Sequence, residues 1–216
     1  GRLTLKAGYE NSYISLSLPD QTAELKTIEY VYCDLNNTPI KGYVNLTVER
    51  LQQPTKPWLV HPQLGAGVRH TLSEEEFRKR FPLTPYTYEE QNPIYWPVER
   101  MVFSTRVLCE GLTRNSIVLP RLEAGVYRVS IATDGTTATD THVVDYVPTE
   151  SKQEFGADLL WSDISTKEAH VGDTVVLRLG TRHKDVWVAY ELVCGDKALE
   201  RRLLRLSDEI KTLRIP

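Results

Sequence analysis

Residues 119–133 read Leu119-Pro-Arg-Leu-Glu-Ala-Gly-Val-Tyr-Arg-Val-Ser-Ile-Ala-Thr133, and this stretch decides the fold class. Gly125 can take the positive φ that a tight turn needs, because glycine has no Cβ. The next residues alternate, with Tyr127, Val129 and Ile131 on one face, as in a strand with one buried face. A turn followed by a strand with a tyrosine near its start is a common corner of antiparallel β-sandwiches. The stretch therefore predicts a β-sandwich with Tyr127 in its core.

Similar alternating runs occur elsewhere in the first 148 residues. In the run 43–50 the residues expected to face inward are Val44, Leu46 and Val48, and in the run 101–109 Met101 shares a face with Phe103. The polar stretch 34–42 predicts a turn, and Asp134-Gly135 predicts a hairpin. The expected strands number about seven, as in an immunoglobulin-like sandwich; they cover 13–18, 27–33, 43–50, 101–109, 116–119, 127–133 and 139–147.

Residues 52–98 interrupt this pattern and are rich in proline and aromatic residues. One helix is expected after Ser73, which forms a capping box with Glu76, and Pro82 ends it. We interpret the segment as an insertion whose aromatic side chains anchor it, because a long proline-rich loop needs apolar contacts to stay ordered. The alternative is a ligand or carbohydrate surface lined by Trp58, Tyr86, Tyr88, Tyr95 and Trp96.

The remainder of the chain predicts a second β domain. Residues 149–157 are polar and read as a linker. Residues 158–216 contain about four strand-like runs, which are too few for a closed sandwich. The predicted organisation is thus a β-sandwich over 1–148, a linker over 149–157 and part of a second sandwich over 158–216. We infer a fragment of a longer protein, or a tail that docks on the first domain.

Composition excludes several classes of function. The chain has 216 residues, 41% of them hydrophobic, which is enough for a packed core. Its formal net charge of −3 gives no broad basic field, so a nucleic acid partner is not expected. No apolar run is long enough for a membrane span. The three cysteines, Cys33, Cys109 and Cys194, lie in strand-like runs without Cys-x-x-Cys spacing, and we expect buried thiols.

Motifs of known chemistry are absent from the sequence, which has no P-loop, no nucleophile elbow and no His-Glu-x-x-His. His61 and His70 could meet in space, but exposed loop histidines are the favoured interpretation. Asp134 and Asp140 flank a turn and lack the dense carboxylates of a calcium loop. We therefore predict a chain that is not an enzyme, with no catalytic, cofactor or metal residues. Two stretches, Asn36-Asn-Thr38 and Asn45-Leu-Thr47, match the pattern for asparagine-linked glycosylation.

Three stretches together resemble the alpha-2-macroglobulin family in its bacterial form. Residues 31–48 resemble the strand–turn–strand of a macroglobulin-like domain, and residues 122–129 its late strand. Residues 171–177, followed by 184–191, look like the start of the next such domain. The insertion, with Phe77-Arg-Lys-Arg-Phe-Pro82 and Asn92-Pro-Ile-Tyr-Trp96, is similar to large members from the Bacteroidetes group.

The resemblance implies a role in protease inhibition. Family members trap proteases when a bait segment is cleaved, often with a thioester built from Cys-Gly-Glu-Gln, which this sequence lacks. No functional residue therefore carries over, and the resemblance implies a scaffold that contacts neighbouring domains of its own polypeptide. The parent protein would bind target proteases through parts that this sequence does not contain. The implied location is periplasmic or envelope-attached.

Two other functions remain open from the sequence. The aromatic residues of the insertion would suit a cell-surface adhesion or carbohydrate-binding module. A small enzyme on a β scaffold is the weakest alternative, because no group of acid, base and nucleophile is apparent.

Overall fold

The computed structural model describes residues 11–55, 58, 71–151, 159–166, 168–170, 172–194 and 196–215. Within these residues β-strands dominate, most of them paired antiparallel, and helices are few and short. The prediction of an all-β fold with a helix-bearing aromatic segment is confirmed.

The chain divides into two compact units. The first consists of Gly1–Gln52 and Pro93–Pro148, and the second of Gln53–Asn92 and Thr149–Pro216. The division after Pro148 falls where the sequence predicts the linker, most of which lies outside the described residues. Residues 53–92 group with the second unit, although the sequence suggests an insertion in the first domain. The predicted domain boundaries therefore stay a prediction.

The described part of the first unit is built from two sheets. A five-stranded sheet has the order β2-β8-β7-β4-β5 and a three-stranded sheet the order β1-β3-β6; only β2 and β8 pair in parallel. The eight strands in the described part of this unit are β1 (Ser12–Ser17), β2 (Gln21–Thr22), β3 (Thr27–Asp34), β4 (Lys41–Leu51), β5 (Val98–Glu110), β6 (Asn115–Val118), β7 (Gly125–Thr133) and β8 (Thr139–Tyr146).

One hydrophobic core joins the two sheets. The predicted inward faces of β4 and β7 are confirmed, since their alternate residues are fully buried. The three-stranded sheet contributes Ile28, Tyr30 and Tyr32 from β3. Each large apolar side chain removed from water stabilises the unit by about 1.5–3 kcal/mol. The buried faces of β4 and β7 comprise Val44, Leu46, Val48, Tyr127, Val129 and Ile131.

A β-bulge changes the predicted faces of β5. Phe103 pairs with Val48 and Met101 pairs with Glu49, so Val102 is an extra residue in the ladder. Val102 and Phe103 both pack against the core, whereas Met101 is 58% exposed. The prediction that Met101 shares a face with Phe103 is therefore wrong, because one inserted residue inverts the period-2 pattern beyond it.

The second unit contains two further sheets in its described part. One has the order β13-β10-β9 and the other pairs β11 with β12. A small core of Leu179, Val188 and Leu206 is buried in this unit. The sequence predicts about four strands, and the structure adds β9. The strands are β9 (Trp161–Ile164), β10 (Val175–Thr181), β11 (Val186–Cys194), β12 (Lys197–Leu206) and β13 (Glu209–Ile215).

Two short helices lie in residues 71–92. The predicted helix is α1 (Glu74–Arg80), and Ser73 caps it as predicted: its hydroxyl accepts the backbone N–H of Glu76 (3.3 Å) and donates to the Glu76 carboxylate (3.2 Å). A second helical turn, α2 (Tyr88–Gln91), was not predicted. Thr87 caps it by accepting the N–H of Glu90 (3.4 Å). Four residues are too few to show a helical period in sequence.

Candidate functional site

The five aromatic residues of the predicted interaction surface belong to different units. Tyr95 and Trp96 lie in the first unit, and Trp58, Tyr86 and Tyr88 lie in the second. Each unit therefore holds its own group of these aromatic residues. That the five residues form a single interaction surface stays a prediction.

In the second unit, Glu90 connects three parts of the aromatic segment. The Trp58 indole N–H donates to its carbonyl oxygen (3.2 Å), and the Tyr86 backbone N–H donates to its carboxylate (2.7 Å). The same carboxylate forms an ion pair with Arg78 of α1, which also pairs with Glu74 (2.7 Å). Burial would raise the pKa of the Glu90 carboxyl, but the hydrogen bonds from Arg78 and Tyr86 outweigh it and hold that pKa below its usual value.

Aromatic contacts strengthen the same segment. Phe77 packs against Phe81 with ring centroids 5.2 Å apart, and against Tyr86 edge-on at 5.3 Å. Such pairs prefer tilted or edge-to-face geometry and add to the burial of their surfaces. Trp58 and Tyr86 are both half-buried, which agrees with an anchoring role. Tyr88 is different, because 54% of it is exposed while its hydroxyl accepts a hydrogen bond from the Asn92 amide (2.8 Å).

In the first unit, the two adjacent aromatic residues have opposite environments. Trp96 is 5% exposed and Tyr95 is 57% exposed. Arg128 of β7 holds the segment by donating to the carbonyl oxygens of Ile94 (2.6 Å) and Trp96 (3.0 Å). Trp96 therefore serves packing, and Tyr95 presents the accessible ring.

The turn before β7 is a tyrosine corner. The Tyr127 hydroxyl donates to the carbonyl oxygen of Glu123, four residues earlier (2.7 Å), and Tyr127 is 1% exposed. This is the hydrogen bond expected at a sandwich corner. Burial raises the pKa of the Tyr127 hydroxyl above its ordinary value. The sequence-based assignment of Tyr127 to the core is confirmed.

The reason for glycine at position 125 differs from the prediction. Gly125 is not among the glycines with positive φ, which in the described residues are Gly111, Gly135 and Gly172. Instead, a Cβ at position 125 would lie 3.2 Å from Nε of Arg50. Glycine leaves room for the Arg50 side chain to cross the turn, and a Cβ here would require that side chain to shift.

Arg50 belongs to a charged network beside an open groove. Its guanidinium pairs with Glu123 (2.7 Å) and Glu99 (3.3 Å), and Arg100 pairs with the same Glu123 carboxylate (3.0 Å). The groove has a volume of about 360 Å³. Sequence reasoning missed this cluster, since residues 50, 100 and 123 meet only through the pairing of β4 with β5 and β7. The lining residues are Arg100, Met101, Val102, Pro120, Arg121, Leu122, Glu123 and Tyr127.

The two carboxylates that flank the β7–β8 turn, Asp134 and Asp140, accept hydrogen bonds from neighbouring protein groups. Asp134 accepts hydrogen bonds from Arg106 and Asn45, and the first of these is the main cause of its lowered carboxyl pKa. Asp140 accepts the backbone N–H of Leu16 (2.7 Å). His61 and His70 lie outside the described residues. Where the structure describes the chain, no three or more His, Cys, Asp or Glu side chains are grouped to hold a metal ion.

An exposed apolar face on the β11–β12 hairpin is a further candidate surface. Trp187 and Leu203 lie on neighbouring strands with 62% exposure each. Ion pairs between Asp185 and Arg205 and between Glu191 and Arg201 flank them. The strand alternation in the sequence shows which residues share this face, but the face was not predicted as a surface.

Two further predictions concern thiols and membranes. Cys33 and Cys109 are free and buried, as expected, and the side chain of Cys194 lies outside the described part. Among the described residues, no helix has the length and apolar character needed to span a membrane.

Comparisons with known proteins give one structural likeness. No family model and no curated protein matches the chain. The cryo-EM reconstruction of E. coli alpha-2-macroglobulin in its native conformation aligns with 99% of this chain, at 14% sequence identity and a TM-score of 0.37. The chain spans 15% of the length of that protein.

Proposed function

We propose that the chain is a non-catalytic scaffold fragment of a bacterial alpha-2-macroglobulin-like protein of the Bacteroidetes type. The observation that carries the proposal is the structure of residues 31–48, the first stretch of the resemblance. Asp34 accepts the backbone N–H groups of Asn36 and Thr38 (2.8 Å each), which stabilises the turn between β3 and β4. β4 then pairs with both β5 and β7. This stretch builds the frame of the sandwich, as a scaffold requires.

The charged groups support the same role. Glu123 is held by two arginines at the tyrosine corner, and Asp134 is held by Arg106 and Asn45 at the β7–β8 turn. These networks connect turns to neighbouring strands. The hydrogen bond from Arg106 holds the pKa of the Asp134 carboxyl below its usual value, so this carboxylate is less available as a general acid or base.

A scaffold also needs surfaces that bind its neighbours. The face around Trp187 and Leu203 is apolar and exposed, and such patches on folded proteins commonly mark interfaces. We assign it to contact with a neighbouring domain of the same polypeptide. Paired charges at its rim match the usual arrangement of an apolar centre with a polar border.

The proposed activity of the parent protein is broad inhibition of endopeptidases by trapping. The test incubates the full-length parent with an endopeptidase and follows hydrolysis of a large protein substrate and of a short peptide. We expect hydrolysis of the large substrate to be lost and hydrolysis of the peptide to be retained, because a trapped protease stays chemically active but is enclosed.

The matched control is the 216-residue chain alone, which we expect to inhibit neither reaction. Loss of both activities would indicate an inhibitor that blocks the active site directly. A parent that is cleaved while both activities persist would remove the trapping proposal.

A second candidate function is a cell-surface adhesion or carbohydrate-binding module, favoured by the exposed rings of Tyr88 and Tyr95. Exposed aromatic faces commonly stack on sugars and other ligands. A glycan array with the wild-type chain, Tyr88→Ala and Tyr95→Ala tests it. Binding that is lost in either variant would support the module, and no binding by the wild type would remove it.

We also propose an extracytoplasmic location, periplasmic or envelope-attached, for the parent protein. The free thiols of Cys33 and Cys109 are buried, which protects them in an oxidising compartment. Fractionation of cells that produce the parent, followed by immunoblotting, tests the location. Recovery in the cytoplasmic fraction alone would contradict it.

A further inference from the structure

The two glycosylation motifs of the chain occupy different environments. In this modification an asparagine side chain receives an oligosaccharide, and the motif requires Ser or Thr two residues later. An enzyme that acts on a folded protein must reach the asparagine amide. The fold therefore decides which of the two motifs can react.

Asn36 lies in an exposed turn. It follows the end of β3, and Asn36, Asn37 and Thr38 are all exposed. Asn37 has a φ of 66°, which turns the chain sharply at this point. The backbone N–H of Asn36 donates to Asp34, while its side-chain amide makes no hydrogen bond to any described residue. The amide of Asn36 is thus presented to solvent by a well-supported turn.

Asn45 is closed to the same chemistry. It lies within β4, where it pairs with Arg106 of β5 on one side and Ala132 of β7 on the other. Its side-chain amide donates to the carboxylate of Asp134. The Asn45 side chain is half-buried between the inward-facing Val44 and Leu46, so a reaction there would require the amide to leave Asp134 and the enzyme to act on a strand that is paired on both edges.

We propose that Asn36 is an acceptor site for an asparagine-linked glycan and that Asn45 is not. Glycosylation of Asn36 in the cell rests on the extracytoplasmic location proposed above. The donor is an oligosaccharide carried on a lipid pyrophosphate. The Asn36 Nδ2–C1 bond forms, the C1–oxygen bond to the pyrophosphate breaks, and the displaced amide proton leaves with the lipid pyrophosphate. No oxidation or reduction takes place.

The test supplies the folded chain with a purified oligosaccharyltransferase and a lipid-linked oligosaccharide, and measures intact mass. We expect the mass of one glycan on the wild-type chain and on Asn45→Gln, and none on Asn36→Gln. After denaturation of the wild type we expect a second glycan at Asn45, since the sheet no longer protects it. A peptide covering residues 31–42 serves as the positive control.

Two results would overturn the proposal. One is an unmodified folded chain under conditions that modify the peptide, and the other is a glycan on Asn45 of the folded chain. The assay supplies the enzyme and the donor, so its result does not depend on where the parent resides. Only the fractionation experiment can show that the proposed location is wrong.

Discussion

Tyr127 stabilises the first unit through its buried ring and through the hydrogen bond of its hydroxyl to Glu123. We expect Tyr127→Phe to lower the free energy of unfolding by about 0.5–1.5 kcal/mol, the usual net contribution of one hydrogen bond. Tyr127→Ala should lower it by about 3–5 kcal/mol, because a large core side chain is removed. Urea denaturation measures both changes.

The control for this prediction is Tyr95→Ala, since Tyr95 is 57% exposed. We expect it to change the free energy of unfolding by less than about 0.5 kcal/mol. Equal effects of Tyr127→Ala and Tyr95→Ala would contradict the assignment of Tyr127 to the core.

Tyr30 makes the stability of the first unit sensitive to alkaline pH. Burial, together with the neighbouring Cys109, raises the pKa of its hydroxyl to about 12. In the unfolded chain the pKa is about 10, so between these values the unfolded state releases a proton that the folded state retains. Tyr30 therefore makes its full contribution to the free energy of unfolding below about pH 10, and this contribution falls as the pH rises toward 12.

We expect this slope to be shallower in Tyr30→Phe, whose ring cannot ionise. Denaturant unfolding of the wild type and of Tyr30→Phe at several pH values from about 8 to 12 measures both slopes. The difference between the slopes is the contribution of Tyr30, because the other tyrosines are present in both proteins. Identical slopes would show that Tyr30 ionises as easily in the folded protein as in the unfolded chain.

At the scale of elements, the sequence predicts structure where one pattern is long and unbroken. β4 alternates over residues 44–48 and β7 over residues 127–133, and there the predicted faces agree with the structure. The bulge in β5 could not be predicted, because the extra residue is defined only by pairing with β4. α2 has a single turn and therefore no period to detect.

The candidate surfaces were less predictable for a related reason. Tyr95 and Trp96 are adjacent and chemically similar, yet one ring is exposed and the other is buried. Arg128 of β7 holds the backbone of this segment by donating to carbonyl oxygens that are 34 and 32 residues away along the chain. Contacts across such separations leave no local trace in the sequence.

α1 tests whether a predicted cap determines the order of a short helix. Ser73→Ala removes the side-chain acceptor for the N–H of Glu76, and caps of this kind contribute about 1 kcal/mol. None of the residues of α1 is buried, so little packing compensates for the loss. We expect faster amide hydrogen exchange over residues 74–80, measured by mass spectrometry, with little change in β4 or β7.

Ser73→Asp provides the matched control, because aspartate caps helices as well as serine does. It should retain the slow exchange of the wild type. If Ser73→Ala exchanges like the wild type, contacts other than the cap stabilise this helix.

At the scale of the whole molecule, the two units differ in how completely they bury their apolar strands. In the first, β4 is paired on both edges and its inward residues are fully buried. In the second, β11 and β12 form a two-stranded sheet that leaves Trp187 and Leu203 exposed. Isolated hairpins of this kind have little stability unless one face packs on something else. Their inner face packs on the small core around Leu179, so it is the outer face that is open to a partner.

The double substitution Trp187→Ser and Leu203→Ser tests whether this outer face contacts a neighbouring domain of the proposed parent protein. Both side chains are largely exposed in this chain, so we expect its Tm to stay within error of the wild type. In the full-length parent the same substitutions should lower the Tm of the unit by several degrees, because they remove apolar surface from an interface. A matched control, Tyr88→Ser, replaces an exposed ring elsewhere and should leave both proteins unchanged. A lower Tm in both proteins would place the two residues in the unit's own core. An unchanged parent would show that no domain covers this face.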